Sequence, residues 1–349
     1  MNSTAATLRV DLDALAANFH TVAAEAASAQ VCPVVKADGY GLGAARVSRR
    51  LYAEGARAFF VARLSEGEAL RAALPQPDAV IHVLDGAPAG SQSRLLAARL
   101  SPVLSSLDQA RAWTGPAAAL HVDTGMNRLG VSADDALALA EAGFRPSLIM
   151  SHLGRAEDPA QARNTDQLAR FRSVRDAFPD VPASLAASAG IYLGAEYRFE
   201  AVRPGISLYG GGPREVSDPR FLAVATLTAP VLQIRDLKAG EAVGYGTMFT
   251  APRAMRIAVV GAGYADGIIR AAHRTAQAFV AGVAAPFVVV TMDLIALDIS
   301  ACAEVKIGDS AELLGPNALL DDLAAASGSV AHECLVHLGR RAQRTYLGG

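Results

Sequence analysis

Cysteine is scarce. The chain has three in 349 residues, Cys32, Cys302 and Cys334, far apart, odd in number and without C-x-x-C spacing. That spacing excludes a disulfide framework and a thiolate metal site, so no metal is expected and the three read as core or incidental residues. Neither sign of charge dominates: the formal net charge is -2 and charged residues make up 19%. No basic surface is therefore offered to nucleic acid or acidic lipid. No run reaches the roughly 18 apolar residues of a membrane span, and Met1–Val10 lacks a basic stretch followed by an apolar one. The expected location is the cytoplasm. Internal repeats and low-complexity tracts are missing too, and the alanine richness is diffuse. What is plentiful is apolar side chain, at 52%, enough over this length for two domains and a sizeable core. Small-molecule chemistry fits that balance.

Short apolar runs alternate with stretches rich in Ala, Leu and Arg. The runs Val31–Val35, Ala58–Ala62, Ala79–Leu84, Pro102–Leu104, Ala118–Val122, Ser147–Ser151, Ser184–Ala187 and Phe199–Val202 give eight expected strands. Leu12, Leu15, Phe19 and Val22 have helical spacing behind Asp11, which can cap them; 44–54, 65–74, 133–142 and 161–178 also suit helices. Eight such alternations predict an α/β fold, a closed (β/α)8 TIM-like barrel; a doubly wound open sheet shares the local pattern and stays open as an alternative. Near Phe221 the rhythm changes. Val, Thr, Ile and Phe with Gly and Pro punctuation run to Leu314, as in Ala225–Ile234, Ile257–Val260 and Phe287–Val290. This predicts a mainly-β C-terminal domain, closed by helices at 320–326 and 330–338. The expected division is 1–216 and 217–349, with the first strand, about 6–11, free to pack with the second domain.

In a parallel barrel the chemistry gathers at the carboxyl ends of the strands. Lys36 follows the first run, Asp123–Arg128 the fifth, His152 the sixth, Ser188 the seventh and Arg203 the eighth. Singly, each has an ordinary reading: a surface lysine, a core imidazole, a helix cap, half of an ion pair. Lys36 carries a sharper one. It ends an apolar run just before a turn set by Asp38, Gly39, Gly41 and Gly43. Lysine is seldom buried without a partner or a covalent task, and it condenses with aldehydes such as pyridoxal phosphate. Tyr40, four residues on, is placed to reach the phosphate of such a cofactor.

Seven motifs in order, V-V-K-A-D-G-Y-G (Val34–Gly41), D-T-G-M-N-R-L-G (Asp123–Gly130), S-H-L-G (Ser151–Gly154), V-R-P-G-I-S-L-Y-G (Val202–Gly210), V-G-Y-G (Val243–Gly246), G-Y-A-D-G (Gly263–Gly267) and M-D (Met292, Asp293), span most of the chain. This set resembles the alanine racemase family, pyridoxal 5'-phosphate enzymes with a barrel and a C-terminal β-domain. The resemblance implies a homodimer with active sites shared between subunits, interconverting L- and D-alanine and supplying D-alanine for peptidoglycan. It makes Lys36 the cofactor lysine and one base, and Tyr245, from the second subunit, the base on the opposite face. Two groups are needed because the α-proton leaves one face and returns on the other. A phenol is a poor base near neutrality unless its phenolate is stabilised; the family's route for this runs through His152 to Arg203. Arg203, facing the pyridine nitrogen, would keep its own protons and leave the ring a weaker electron sink. Tyr40, Ser188 and the amides of Gly205 and Ile206 would meet the phosphate, Arg128 and the Met292 backbone the substrate, and Tyr264 would narrow the entrance.

The chain also departs from the family. Many members carry, seven residues before the arginine of D-T-G-M-x-R, a lysine carboxylated to a carbamate; here that position is His121, which implies a carbamate-free site. Ala187 stands where the family often has Asn before the serine. Other readings are a nicotinamide-dependent dehydrogenase, a pyridoxal-phosphate carrier without the second base, and a racemase of serine or of broader specificity. G-A-G-Y-A-D-G from Gly261 is not a dinucleotide fingerprint, and His332-Glu333 with His337 misses H-E-x-x-H spacing by one residue. Arg340, Arg341 and Arg344 read as a solvated face or as ion-pair partners.

Overall fold

The computed structural model describes residues 5–116, 118–338 and 341–349; Arg340 lies outside them. The described chain packs as two compact units, one of Ala16–Gly39 with Gly43–Leu208, the other of the residues up to Leu15, Tyr40–Leu42 and Tyr209–Gly349.

The first unit is an eight-stranded parallel ring. Ala58–Val61, Val80–Val83, Ser101–Leu104, Ala119–His121, Leu148–Met150 and Ala183–Ser184 pair in chain order, and Gln30–Val31 pairs with Ala201–Val202. Bridges Val34↔Phe60 and Ala187↔Arg203 join the pair to both edges of the six. That closure excludes the open doubly wound sheet. Seven of the eight expected strands are shorter than the apolar runs that predict them, the first and the eighth for a visible reason. Pro33 has no N–H to give, so the first run is a two-residue strand plus a bridge at Val34, with Cys32 and Val34 donating to Val202 and Pro204. The eighth begins at Ala201, because Phe199 turns into the left-handed region.

Apart from Gln30 and Val80 at strand starts, the strands are covered on both faces, as a parallel sheet requires. Cys32, Ala58, Phe60, Val103, Ala119, Leu148, Met150 and Ala201 form one cluster. The alternate positions, Leu104, Leu120, Ile149 and Ala183, pack with Leu139 of helix Ala133–Glu141 and with Leu168, Phe171 and Val174 of helix Ala162–Asp176. Each of the larger side chains among them, Val, Leu, Ile, Phe or Met, stabilises the fold by about 1.5–3 kcal/mol. Parity sends His121 and Arg203, two residues beyond Ala119 and Ala201, to the first of these faces. Two short helices, Gln92–Ala97 and Leu107–Ala112, were not separable from their loops by periodicity.

In the second unit, Met255–Val260, Ile295–Asp298, Val283–Val290, Gln277–Val280, Ser310–Leu314 and the 13-residue Ala225–Leu237 follow one another around a sheet that returns to Met255–Val260. All these pairs are antiparallel. Thr7–Asp11 pairs with Ala225–Leu237, and on its other side with Gln343–Leu347, a strand the sequence pattern did not reveal. Asp11 then caps the helix Leu12–Ala26, its carboxylate accepting the Asp13 and Ala14 amides at 2.9 Å. Helices Leu320–Ala326 and Ala331–His337 precede the last strand. No helix among the described residues is long and apolar enough to cross a membrane.

Candidate active site

Lys36 stands directly after the bridge at Val34, on a turn whose next four residues, Ala37 to Tyr40, all have positive φ. Its side chain is half-buried, and no hydrogen bond or ion pair holds its amine among the described residues. Burial, and then the charge of Arg128, pull its pKa below the ordinary lysine value, against the opposing pull of Glu66. The chain has two other lysines, Lys238 and Lys306, both exposed.

Arg128 is carried by a loop that closes on itself. The Asp123 carboxylate accepts the Gly125 and Met126 amides at 2.8 Å, while the Asp123 amide donates to the Val131 carbonyl and the Val131 amide to the His121 carbonyl. Burial raises the Asp123 pKa, but the amides of Gly125, Asn127 and Met126 outweigh it and hold the acid below its usual range. Gly130 sits at φ 122°, where a Cβ would lie 2.5 Å from the Asp123 nitrogen, so the closure needs glycine. The loop leaves Arg128 exposed.

Arg203 is 3% exposed. Its guanidinium donates to the Ser184 carbonyl and hydroxyl at 2.8 and 2.6 Å and to the Ser151 carbonyl at 2.6 Å, and meets His152 Nδ1 at 3.5 Å. None of these partners is a carboxylate. Burial lowers its pKa to about 10, which leaves it charged at neutral pH. Its field reaches the surrounding imidazoles. Burial first and Arg203 second bring His82 and His121 down to about 4. The same two causes, joined by Arg128, His121 and Lys36, hold His152 well below its ordinary value. All three rings are neutral. Because Arg203 donates to Nδ1, the neutral His152 ring carries its hydrogen on Nε2.

The Ser188 hydroxyl accepts the amides of Gly205 at 2.9 Å and Ser207 at 3.4 Å, which leaves its own hydrogen to give away. Ser207 is fully buried and its hydroxyl has no partner among the described residues. Ile206 opens the short 3-10 turn Ile206–Tyr209 between them. An anion with several oxygens fits this cradle of unspent donors.

Four expected site residues belong to the other unit. Tyr40 is 5% exposed and stacks on Tyr209 with ring centroids 4.5 Å apart; burial raises its phenol pKa. Tyr245 heads the turn Tyr245–Thr247 on a ribbon formed by Ala242–Val243 and Phe249–Thr250, and is 81% exposed. Tyr264 and Met292 are neighbours: the Tyr264 and Ala265 amides donate to Thr291 and Met292 at 3.0 Å. A Cβ at Gly263 would lie 2.3 Å from both of those carbonyl oxygens. Arg341 locks this corner, donating twice to Asp266, at 2.8 and 2.6 Å, and pairing with Asp293.

Sequence reasoning missed the residues that hold this set in place. Gln167 donates to the His152 carbonyl at 2.9 Å and to Thr124 Oγ1 at 3.2 Å, and accepts from Gly154 at 2.8 Å. Ser184 was read only as the start of a strand. Neither lies in a motif, and only the folded chain brings them to the strand ends.

Two family models match the chain, "Alanine racemase, N-terminal domain" over residues 10–213 and "Alanine racemase, C-terminal domain" over 224–346. A relative named alanine racemase from Methylobacterium nodulans is 44% identical over 363 residues, covering 100% of this chain and 98% of its own. The crystal structure of alanine racemase from Bartonella henselae with covalently bound pyridoxal phosphate is similar with a TM-score of 0.92 and 33% identity, over 99% of this chain and 100% of that one. The biosynthetic alanine racemase from Pseudomonas aeruginosa matches with a TM-score of 0.93 and 31% identity, over 99% and 100%.

Proposed function

The chain belongs to the alanine racemase family, and from that premise we propose that it interconverts L- and D-alanine with pyridoxal 5'-phosphate, as a homodimer in which Lys36 works on one face of the substrate and Tyr245 of the partner subunit on the other. The observation that carries this reading is Lys36, a half-buried amine with no hydrogen bond or ion pair among the described residues and a lowered pKa, at the carboxyl end of a barrel strand. Pyridoxal phosphate, when bound, supplies the electron withdrawal that acidifies the α-hydrogen.

Each residue then has a task its surroundings support. Ser188, with the Gly205 and Ile206 backbone and Tyr40, would hold the phosphate; the free hydrogen of Ser188 and the unpartnered Ser207 hydroxyl suit that anion. Arg203 would face the ring nitrogen and, keeping its protons at neutral pH, would not protonate it. Arg128 presents a fork of donors to a carboxylate, and the Met292 backbone assists from the partner subunit. His152 would turn its Nε2–H toward the phenol, so that Arg203 and His152 together stabilise a phenolate. Tyr245 supports the dimer because a base 81% exposed in one chain has no dry site of its own. Tyr264 would narrow the entrance. His121, neutral beside Arg128, supports a site without a carbamate. The setting we propose is the cytoplasm, and the product's use peptidoglycan synthesis.

The test is a spectrum and an assay. Purified protein is expected to absorb near the visible edge, to lose that band on borohydride reduction with the label at Lys36, and to equilibrate L- with D-alanine. Protein that takes up no cofactor, or that leaves both alanine isomers unchanged, refutes the reading.

A further inference from the structure

The turn that carries Lys36 is strained. Ala37, Asp38, Gly39 and Tyr40 have φ of 52°, 56°, 62° and 57°. Glycine is at home there, and each of the other three is held at a cost in backbone strain. Such a turn persists only if its surroundings hold it. Gly39 donates to the Val35 carbonyl at 3.0 Å, Gly43 to the Asp38 carbonyl at 2.7 Å, and Ala44 to the Asp38 carboxylate at 2.9 Å. All three bonds stay within the segment from Val35 to Ala44. The Ala37 amide instead leaves it, donating to Glu66 Oε1 at 2.8 Å. Glu66 lies in the first turn of helix Leu64–Ala73, and its other oxygen accepts the amides of Ala62 at 2.8 Å and Arg63 at 3.0 Å, just past the strand Ala58–Val61.

We propose that Glu66 is the positioning residue of Lys36, its carboxylate bridging the amide after the lysine to two amides at the end of the neighbouring strand and so fixing the turn from which the amine meets an aldehyde cofactor. This rests on the reading of Lys36 given above. A helix cap alone would need only the bond to Arg63, and glutamine serves as well as glutamate in that position. The reach to Ala37 is the part that capping does not explain. Glu66 also brings a negative charge to bear on the Lys36 amine, whose other charged neighbour is Arg128 and which acts in turn on His152.

The test uses the full chain freed of cofactor. Pyridoxal phosphate is added, the lysine nitrogen displaces the aldehyde oxygen as water, and borohydride delivers hydride to the resulting C=N bond, leaving a stable secondary amine for peptide mapping. Lys238 and Lys306, both exposed, are the internal references. Glu66→Gln is expected to unfold at nearly the parent temperature but to take label at Lys36 about ten- to hundredfold more slowly relative to the references, the worth of one charge-assisted hydrogen bond. Labelling within about twofold of the parent in a folded variant overturns the proposal. Where Glu66→Gln does not fold, hydrogen exchange on the parent decides: a slowly exchanging Ala37 amide supports the bridge, and one as fast as open loop amides overturns it. A parent chain that takes no label at Lys36 defeats the functional reading itself, and this inference with it.

Discussion

Arg203 of the barrel unit and Arg341 of the β-unit are each gripped by several hydrogen bonds, yet only Arg341 has acids for company. Arg341, its side chain 46% exposed, pairs with Asp266 and Asp293 and so joins the Tyr264 turn to the Met292 loop. Its charge is cancelled where it stands. Arg203, 3% exposed, is held by serine and backbone oxygens and a neutral imidazole, so its charge is uncancelled and acts on its surroundings. An arginine that only ties segments together is best paired with a carboxylate, whereas one that must bias nearby pKa values is best held by neutral oxygens. The barrel unit carries a charge that is placed and left active; the β-unit carries a charge that is paired, and an exposed phenol.

That contrast fails most visibly if the barrel lysine is dispensable. Lys36→Ala is expected to lower kcat by more than about 10⁴-fold, since on the proposed function it removes both the cofactor attachment and an acid/base group. Tyr245→Phe is expected to cost about 10²–10³-fold in one direction of racemisation, read as loss of α-deuterium exchange from one isomer, with cofactor uptake unchanged. Equal loss in both cofactor binding and turnover would make Tyr245 part of the scaffold, and the contrast between the units would be wrong.

The imidazoles sharpen the comparison. His82 and His121 have folded-state pKa values of about 4 and lie 6% and 7% exposed. A histidine whose pKa is lowered on folding binds fewer protons in the native state, so its stability is fully present above the unfolded value of about 6.5. As pH falls from there toward about 4, each ring is expected to withdraw about 3 kcal/mol, read as falling denaturant midpoints. In Arg203→Gln the imidazole resonances should titrate higher, because that charge is a named cause of each shift. Unmoved titrations would mean burial alone sets them. Arg341→Met is expected to do less: about 1–2 kcal/mol of stability and a rise in KM under about tenfold, with kcat near parent, since Asp266 loses its partner but no reacting group is touched.

How much of this was legible beforehand follows a physical line. Strand count, barrel class and the sequence-adjacent groups Lys36, Arg128, His152 and Arg203 could be read because each sits in a compact motif at the end of an apolar run. Glu66, Gln167 and Ser184 could not, because each reaches partners distant in the chain, Ala37, Thr124 and Arg203, and their residue types are ordinary for the helix or strand that carries them. The strand Gln343–Leu347 was hidden for another reason: it is solvated on one face and pairs with Thr7–Asp11 across almost the whole sequence. For Arg341 the sequence allows a solvated face or an ion pair, and the Asp266 pairing decides for the latter.

The smallest expected effect belongs to His121. The resemblance implies that many family members carry at that place a carboxylated lysine, and carbamate formation needs a neutral amine. The surroundings would supply one: burial and the charges of Arg203 and Arg128, which here depress an imidazole to about 4, would depress an amine likewise. The chain instead carries a ring that is already neutral and cannot hold carbon dioxide. Racemase activity is therefore expected to be the same in buffer stripped of carbon dioxide and in buffer with bicarbonate, whereas His121→Lys should acquire a bicarbonate-dependent KM. A parent enzyme whose KM rises on removing carbon dioxide would mean that another amine near Arg128 has taken the role. Lys36 is the lysine whose charge is felt there, so the same result would also reopen its assignment as the cofactor lysine.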